Sequence, residues 1–516
     1  MTPQQSRRST ITKLSTGLLL VILLGVAIQA WRGRLFADGA YQASVAIMPF
    51  ENRTGDPRFD YLGPSLAEGV ITQLAAVPEI RVLDLYTAAS VMKDSLGTPR
   101  LHDSLNVEHI IHGYIETRHD TLVVNVSESD VEGFLSLRTR HVLAPDEIET
   151  GQVRLANRVA LTFLRDVGLE DRYDPDMSVI GPGRDAYLAG TEALGQRTPT
   201  AMREAIRWFR EAIELEPTSA VALSALSSAY ALTIYYKYDV GMSSYELAAR
   251  SFVAADSAIA LDPEVANGYA ARGYIRALLG FEIDEAEADF RRAEELAPNA
   301  PNAPSWSARI LARRGRVDDA FAEAGRARDL DPLQAGRRTA LASLGFQLGD
   351  YDVAIQEARE AYRLEPGLSL AKAFEGRALA LTGRPEACLD LDFGVYELVR
   401  ALCLHAAGRR AEARALVEAT EERMTESTIE DPRYLPELIA QDLASYYGYV
   451  GDAESAARWV THAFSLSPAG VDERLLGSAL FDPVRDDPRF VTALTAAHEQ
   501  ARRRVVEGRR SVESPL

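Results

Sequence analysis

Cysteine, histidine and positive charge are what this chain has little of. Its 516 residues include two cysteines and eight histidines, and its formal net charge is −19. Two cysteines, Cys388 and Cys403, make neither a disulfide framework nor a metal cluster. Both lie in apolar helical sequence, so the expectation is two small buried hydrophobes. The histidines are scattered except for His109, His112 and His119, which follow a strand and its turn without metal-ligand spacing. Paired-histidine metal motifs, a nucleophile elbow and a phosphate-binding loop are all missing. GPGR at Gly181 to Arg184 lacks a strand-to-helix context and reads as linker, together with Asp174, Pro175 and Asp176. The expectation is therefore a protein that is not an enzyme and has no cofactor and no metal. The acidic balance also argues against nucleic acid, whose phosphates need a basic face, and favours basic partners.

The one long apolar run stands near the start. Arg7, Arg8 and Lys13 precede an uncharged stretch from Leu14 to Ala30, closed by Trp31, Arg32 and Arg34. At about 1.5 Å per residue this helix reaches about 25 Å, close to a hydrocarbon core of about 30 Å. Trp31 at the interface and snorkelling arginines complete an anchor. A cleaved signal peptide would have a shorter apolar core followed by small residues, which IQAW does not provide. Residues 1–13 are thus expected to be a cytoplasmic tail and 14–31 a single transmembrane helix of the inner membrane. The slight amino-terminal excess of basic residues then places the bulk of the chain outside the cytoplasm.

Residues 44–168 alternate between strand and helix signals. SVAIMPF (44–50) is an apolar run bounded by the turn-rich ENRTGDP, and residues 61–77 carry apolar positions at helical spacing. A strand at 80–84 and a short helix at 88–94 follow, then a meander of strands at 109–117, 122–129 and 133–142. A helix opens at Pro145 and runs to Arg165. The string VAIMPFENRTGDPRFDYLGPSLAEGVITQLAAVPEIRVL resembles the TolB amino-terminal-like domain of bacterial envelope and signalling proteins. Pro49, Phe50, Asn52, Thr54, Gly55, Asp56, Leu62, Leu66, Arg81 and Val82 carry the resemblance, with Gly113 in the later hairpin. It implies a non-catalytic α/β domain; Asp56 in TGDP is expected to cap a turn.

The rest of the chain is periodic. Prolines that close apolar helices recur at Pro217, Pro263, Pro298, Pro332, Pro366 and Pro468, at separations of 46, 35, 34, 34 and 102. The last is three periods of 34, and the first is one period plus an insertion. Glycines Gly280, Gly315, Gly349, Gly383, Gly408 and Gly451 mark the turn inside each pair, where a left-handed residue is needed. Small residues follow at Ala286, Ala320, Ala354, Ala413 and Ala456, with a second set at Ala212, Ala258, Ala293, Ala327, Ala361 and Ala463. Phe209, Phe290 and Trp459 fill the spaces between. This pattern resembles the tetratricopeptide repeat, and implies an α-solenoid of about eight hairpins over 185–468, joined to the α/β domain by a linker at 169–184. Residues 469–510 read as a short link and a capping helix. The loop at 235–244 is expected to be an indel-tolerant surface turn, and the second helix after Gly383 is short. Arg502, Arg503, Arg504, Arg509 and Arg510 are expected to complement a helix C-terminus.

A stack of hairpins exposes a concave surface lined by the first helix of each pair. Repeat alignment puts Asn267, Tyr274, Asn302, Arg309, Arg313, Thr339, Ser343, Gln347 and Arg377 on it. Arg309 and Arg313 are four apart, share a helix face and suit a carboxylate. The functional expectation is a membrane-anchored scaffold that binds a protein or peptide in this groove. The alternative is a sensory or regulatory component of a bacterial signalling system acting through a separate output protein. That alternative rests on resemblance to the C-terminal parts of receptor kinases, adenylate cyclases and winged-helix regulators.

Overall fold

The fold is seen in a computed structural model that describes residues 41–75, 77, 79–83, 88, 107–118, 121–130, 135–143, 148–172, 183–332, 334–425 and 435–512. The expected anchor at 14–31 lies outside the described residues. Among those described, no helix is long and apolar enough to cross a membrane.

The first strand, β1 (Ala43–Ile47), is shorter than the apolar run suggests, because Pro49 has no N–H to continue a ladder. The chain re-enters the sheet as β2 (Glu51–Asn52), beside the same neighbour. Asp56 caps the short 3-10 turn Pro57–Phe59, its side chain accepting from the Arg58 N–H, which is the turn role expected of it. After helix α1 (Leu62–Ala75) come β3 (Ile80–Val82), β4 (His109–Arg118), β5 (Thr121–Asp130) and β6 (Leu135–Leu143), then helix α2 (Ile148–Asp166). The sheet order is β3-β1-β4-β5-β6; β1 runs parallel to β3 and β4, and β4-β5-β6 is an antiparallel meander. Helices α1 and α2 cover one face, burying Leu66, Val70, Leu74, Val159 and Phe163 against Val45, Ile47, Ile111 and Val124. The helix expected at 88–94 lies outside the described residues apart from Ala88. His109 pairs with Glu128 at 2.8 Å within the sheet.

Beyond residue 183, eight helical pairs follow among the described residues: α3 (Arg184–Gly195) with α4 (Pro199–Leu215), α5 (Ala220–Tyr236) with α6 (Ser244–Leu261), α7 (Ala266–Leu279) with α8 (Ile283–Leu296), α9 (Asn302–Arg313) with α10 (Val317–Leu330), α11 (Ala335–Leu348) with α12 (Tyr351–Leu364), α13 (Ser369–Leu381) with the stub α14 (Pro385–Leu389), α15 (Val399–Ala406) with α16 (Arg410–Thr425), and α17 (Pro436–Val450) with α18 (Ala453–Leu466). The single-turn α19 (Glu473–Leu476) and the long α20 (Pro488–Ser511) close the chain.

One local mechanism repeats along this array. The residue before each ruler proline cannot stay helical, because the proline ring crowds it. Glu216, Asp262, Ala297, Asp331, Glu365 and Ser467 accordingly leave the helix with φ near −140°, and each N–H still bonds the carbonyl of the alanine four residues back. Those six alanines are at most 2% exposed, as are Ala286, Ala320, Ala354, Ala413 and Ala456, so helices approach closely at every small position. The six turn glycines all have φ between 70° and 82°. Proline, alanine and glycine thus set the exit, the approach and the turn of successive hairpins.

Two expectations about this region are corrected. Cys388 and Cys403 form a disulfide with Cα atoms 5.7 Å apart, within the range such a bond allows. Shortening of α14 brings the start of the next hairpin close enough for this pairing, which sequence spacing does not reveal. The loop at 235–244 is not a surface turn at its start: Tyr236 and Lys237 are buried, and Lys237 Nζ donates to Gly470 O at 3.1 Å.

The α/β domain docks on the array through polar groups. Asn299, buried between α8 and α9, donates from Nδ2 to Val77 O and Ile80 O at 3.1 and 2.6 Å, and Arg81 Nη1 reaches Asp329 O. Arg184 donates to Ser65 O. Removing Asn299 leaves two carbonyls at the sheet edge without this donor, which costs about 1–3 kcal/mol. Asn299→Ala is expected to lower the denaturation midpoint and to speed amide exchange at 77–83, leaving 337–367 unchanged. Equal exchange at 77–83 in the variant would show that this contact does not hold the domain.

Candidate functional site

The first helices α5, α7, α9, α11 and α13 pack side by side and form the inner wall of the array. The wall does not face open solvent. The array turns until its last hairpin meets its second: Ser244 Oγ donates to Glu437 at 2.7 Å, and Tyr245 OH to Phe464 O at 2.5 Å. Helix α20 then lies across α6, where the Arg509 guanidinium covers the Phe252 ring at 4.0 Å and pairs with Asp256 at 3.2 Å. Arg504 covers the Tyr245 ring at 3.6 Å. Arg504 and Arg509 therefore hold two elements together, whereas a helix-dipole role was expected of them. Phe490, Ala497, Ala501 and Val505 form the buried stripe of α20.

The segment leading from α18 enters the groove. Asp472 is the centre of what it brings: its carboxylate accepts from Arg309 at 3.1 Å and from Arg474 on both oxygens. One turn along α9, Arg313 pairs with Glu473 at 2.8 Å. Arg474 also donates to Tyr235 OH at 3.0 Å and to Ser343 Oγ, and its guanidinium lies 4.7 Å from the Tyr235 ring centre. Burial alone would raise the Asp472 carboxyl, but the two guanidiniums outweigh it and hold the group well below the usual carboxylate range.

The nine residues placed on the groove by repeat alignment divide into three sets. Tyr274, Arg309, Ser343 and Gln347 converge on one internal cavity, with Tyr274 stacked on Trp306 at 4.4 Å and 18°. Asn267, Asn302 and Arg313 stand at its margin, where Asn302 donates to Asn267 at 3.4 Å and accepts from Arg337 at 2.6 Å. Thr339 and Arg377 are turned into the packing. Thr339 donates to Ala335 O, and Arg377 pairs with Asp442 at 2.7 Å between the rings of Phe374 and Tyr396. Burial pushes the Asp442 carboxyl up, with Arg377 opposing. Sequence reasoning missed Arg197, Tyr235, Arg337, Asp472 and Arg474. The alternating charges of VDERLL were the available signal, hidden in a stretch that reads as a link.

The depressed Asp472 group stabilises the fold above the ordinary carboxylate range near pH 4, and that contribution is lost only as pH falls well below it. Asp472→Asn leaves Arg309 and Arg474 buried without their counter-charge, which costs about 3–5 kcal/mol. The variant is expected to melt lower than the parent throughout pH 5–8, with the gap shrinking below pH 3 in denaturant titrations. A pH-independent gap would assign the loss to packing alone.

Comparison with known proteins adds a family assignment for part of the array. Residues 337–367, in α11 and α12, match the tetratricopeptide repeat family model. A putative adenylate cyclase 3 of Rhizobium meliloti (strain 1021) is 26% identical over 191 residues, covering 36% of this chain. The chain therefore spans about a third of that relative's length, 32%. Solved structures to which the chain is similar include a tetratricopeptide repeat protein from Parabacteroides merdae ATCC 43184, at 15% identity, 50% and 95% coverage of the two chains and TM-score 0.31. Yeast Tom70 is 18% identical with 71% and 76% coverage and TM-score 0.34. The Cut9–Hcn1 assembly of APC/C is 12% identical with 68% and 63% coverage and TM-score 0.39. Residues 337–367 are a tetratricopeptide repeat, and the two hairpins before them share its glycine turn, its alanine contacts and its proline exit.

Proposed function

We propose that this chain is a protein-interaction scaffold whose partner presents an acidic segment to Arg313 and the adjoining rim at Asn267 and Asn302. The observation that carries this reading is the chain's own Asp472–Glu473 segment, seated on Arg309 and Arg313. A groove wall that selects two consecutive carboxylates from its own chain offers the same geometry to a partner that displaces Glu473. The Arg313–Glu473 pair is about one-third exposed on each side, so exchanging its carboxylate costs about 1 kcal/mol or less. Arg309 stays committed to Asp472, and Tyr274, Thr339, Ser343 and Arg377 keep the wall rigid beneath.

The tether at 14–31 is part of this proposal, with the bulk of the chain outside the inner membrane. The Cys388–Cys403 bond supports that side, since such bonds persist in oxidising compartments. So does the resemblance of residues 44–168 to TolB amino-terminal-like domains. A second reading, a regulatory component of a signalling system, is favoured by the relative named a putative adenylate cyclase.

Capture from membranes tests the scaffold. Glu473→Ala, which frees Arg313, is expected to raise recovery of partners several-fold, and Arg313→Glu to reduce it, with melting temperatures close to the parent. Unchanged recovery in both variants removes the rim from the site. The tether is tested apart from this: deletion of residues 1–31 is expected to move the protein from the carbonate-resistant membrane fraction to the supernatant. Retention in the pellet would contradict it.

A further inference from the structure

The inner wall encloses a cavity of about 60 Å³, and its charge is one-sided. Four arginines line it, Arg197, Arg309, Arg337 and Arg474, and no carboxylate does so among the described residues. The acids that neutralise them stand behind the lining. Asp472 serves both Arg309 and Arg474, and Asp331 stands 3.6 Å from Arg337. Arg197 makes no ion pair among the described residues, and its acidic neighbour Glu365 is pushed up to about 7 by burial, against the pull of Arg197. The four guanidiniums thus face three acids, Asp472, Asp331 and Glu365, and burial favours the neutral form of the last. Nearby, Lys237 donates to Gly470 O with Glu437 in its field, and Arg377 pairs with Asp442.

Donors are also left over. Arg309 is nine-tenths buried, yet its Nε has no hydrogen-bond partner among the described residues; neither has Arg197 Nη1 or the acceptor Gln347 Oε1. Buried groups of this kind are costly unless something satisfies them. Arg197 sits in the turn between α3 and α4 at φ 53°, a left-handed conformation that strains a side-chain-bearing residue and that persists where the surroundings enforce it. Tyr238 OH donates to its carbonyl at 2.6 Å and helps to hold it there. The stacked Tyr274 and Trp306 line one side of the cavity, and charge interactions are stronger beside such a low-dielectric surface.

From this arrangement we infer that the cavity binds a small oxoanion of phosphate size, held by the Arg197 and Arg309 guanidiniums with Ser305 and Gln347 at its edge. The cavity has room for roughly four water-sized occupants, which is the bulk of one tetrahedral anion. Planar guanidiniums match such oxygens in pairs. The anion is either free or the terminal group of a small molecule whose remainder leaves through the cavity mouth. This site stands apart from the Arg313 rim, so it survives failure of the partner-binding reading.

The test is titration of the full chain with inorganic phosphate, and separately with phenyl phosphate, by calorimetry and thermal unfolding at ionic strength matched with chloride. Phosphate is expected to bind saturably and to raise the melting temperature by several degrees over chloride. Arg197→Met is expected to weaken binding at least tenfold. Gln347→Glu places a carboxylate among the arginines with little change in shape; it is expected to fold, to melt no lower than the parent, and to abolish binding. Tighter binding of phenyl phosphate assigns the anion to a larger molecule, and tighter binding of inorganic phosphate to a free ion. A phosphate effect no larger than that of chloride, or one that persists in Gln347→Glu, overturns the inference.

Discussion

The carboxylate of Asp472 between Arg309 and Arg474 is the contact on which the arrangement of the helical array depends. An open stack of hairpins needs only neighbour-to-neighbour packing, and each repeat here has that in its buried alanines. What makes this array return on itself is a segment, 470–476, that crosses from the eighth hairpin to the wall built by the second, fourth and fifth. Three groups at that crossing are charged and largely buried. Such a trio adds little net stability over apolar packing of equal volume, but it tolerates one register, because any shift leaves a charge without its partner. The neighbouring contacts, Lys237 to Gly470 O and Ser244 to Glu437, reinforce that register.

Closure changes what a concave surface can do. In an open trough the inner helices would meet a partner along their whole length. Here the centre of the wall is committed to the chain itself, and its margin meets solvent at Asn267 and Arg313. The same closure takes arginines that would be solvated on an acidic protein's surface and packs them around a small interior space. Recognition of a protein at the rim and of an anion inside are thus two consequences of one fold: the first exchanges the acceptor of Arg313, and the second has Arg309 serve two acceptors at once.

Much of this was legible in the sequence because it is local. The proline ruler marks helix ends through steric crowding of the preceding residue, and the six glycines and eleven alanines each report a backbone or contact requirement that only small residues meet. The strand and helix order of residues 44–168 follows from apolar periodicity, with β1 cut short by Pro49. What sequence could not supply is long-range. Arg309 and Arg313 read as a carboxylate clamp, but not as one filled by Asp472 and Glu473 about 160 positions away. Thr339 and Arg377 align with groove positions yet turn inward, since alignment gives the face of a helix and not the depth of the wall opposite it. The Cys388–Cys403 bond depends on the shortened α14, and the burial of Lys237 depends on Gly470; neither has a local signature.

Hydrogen exchange across residues 470–480 tests closure most directly, since these amides are protected only if the segment stays inside the ring. The account predicts that they exchange as slowly as the amides of 337–367, through global opening of the array. Exchange at the rate of a fraying terminus, with 337–367 still protected, would contradict it and return the array to an open trough.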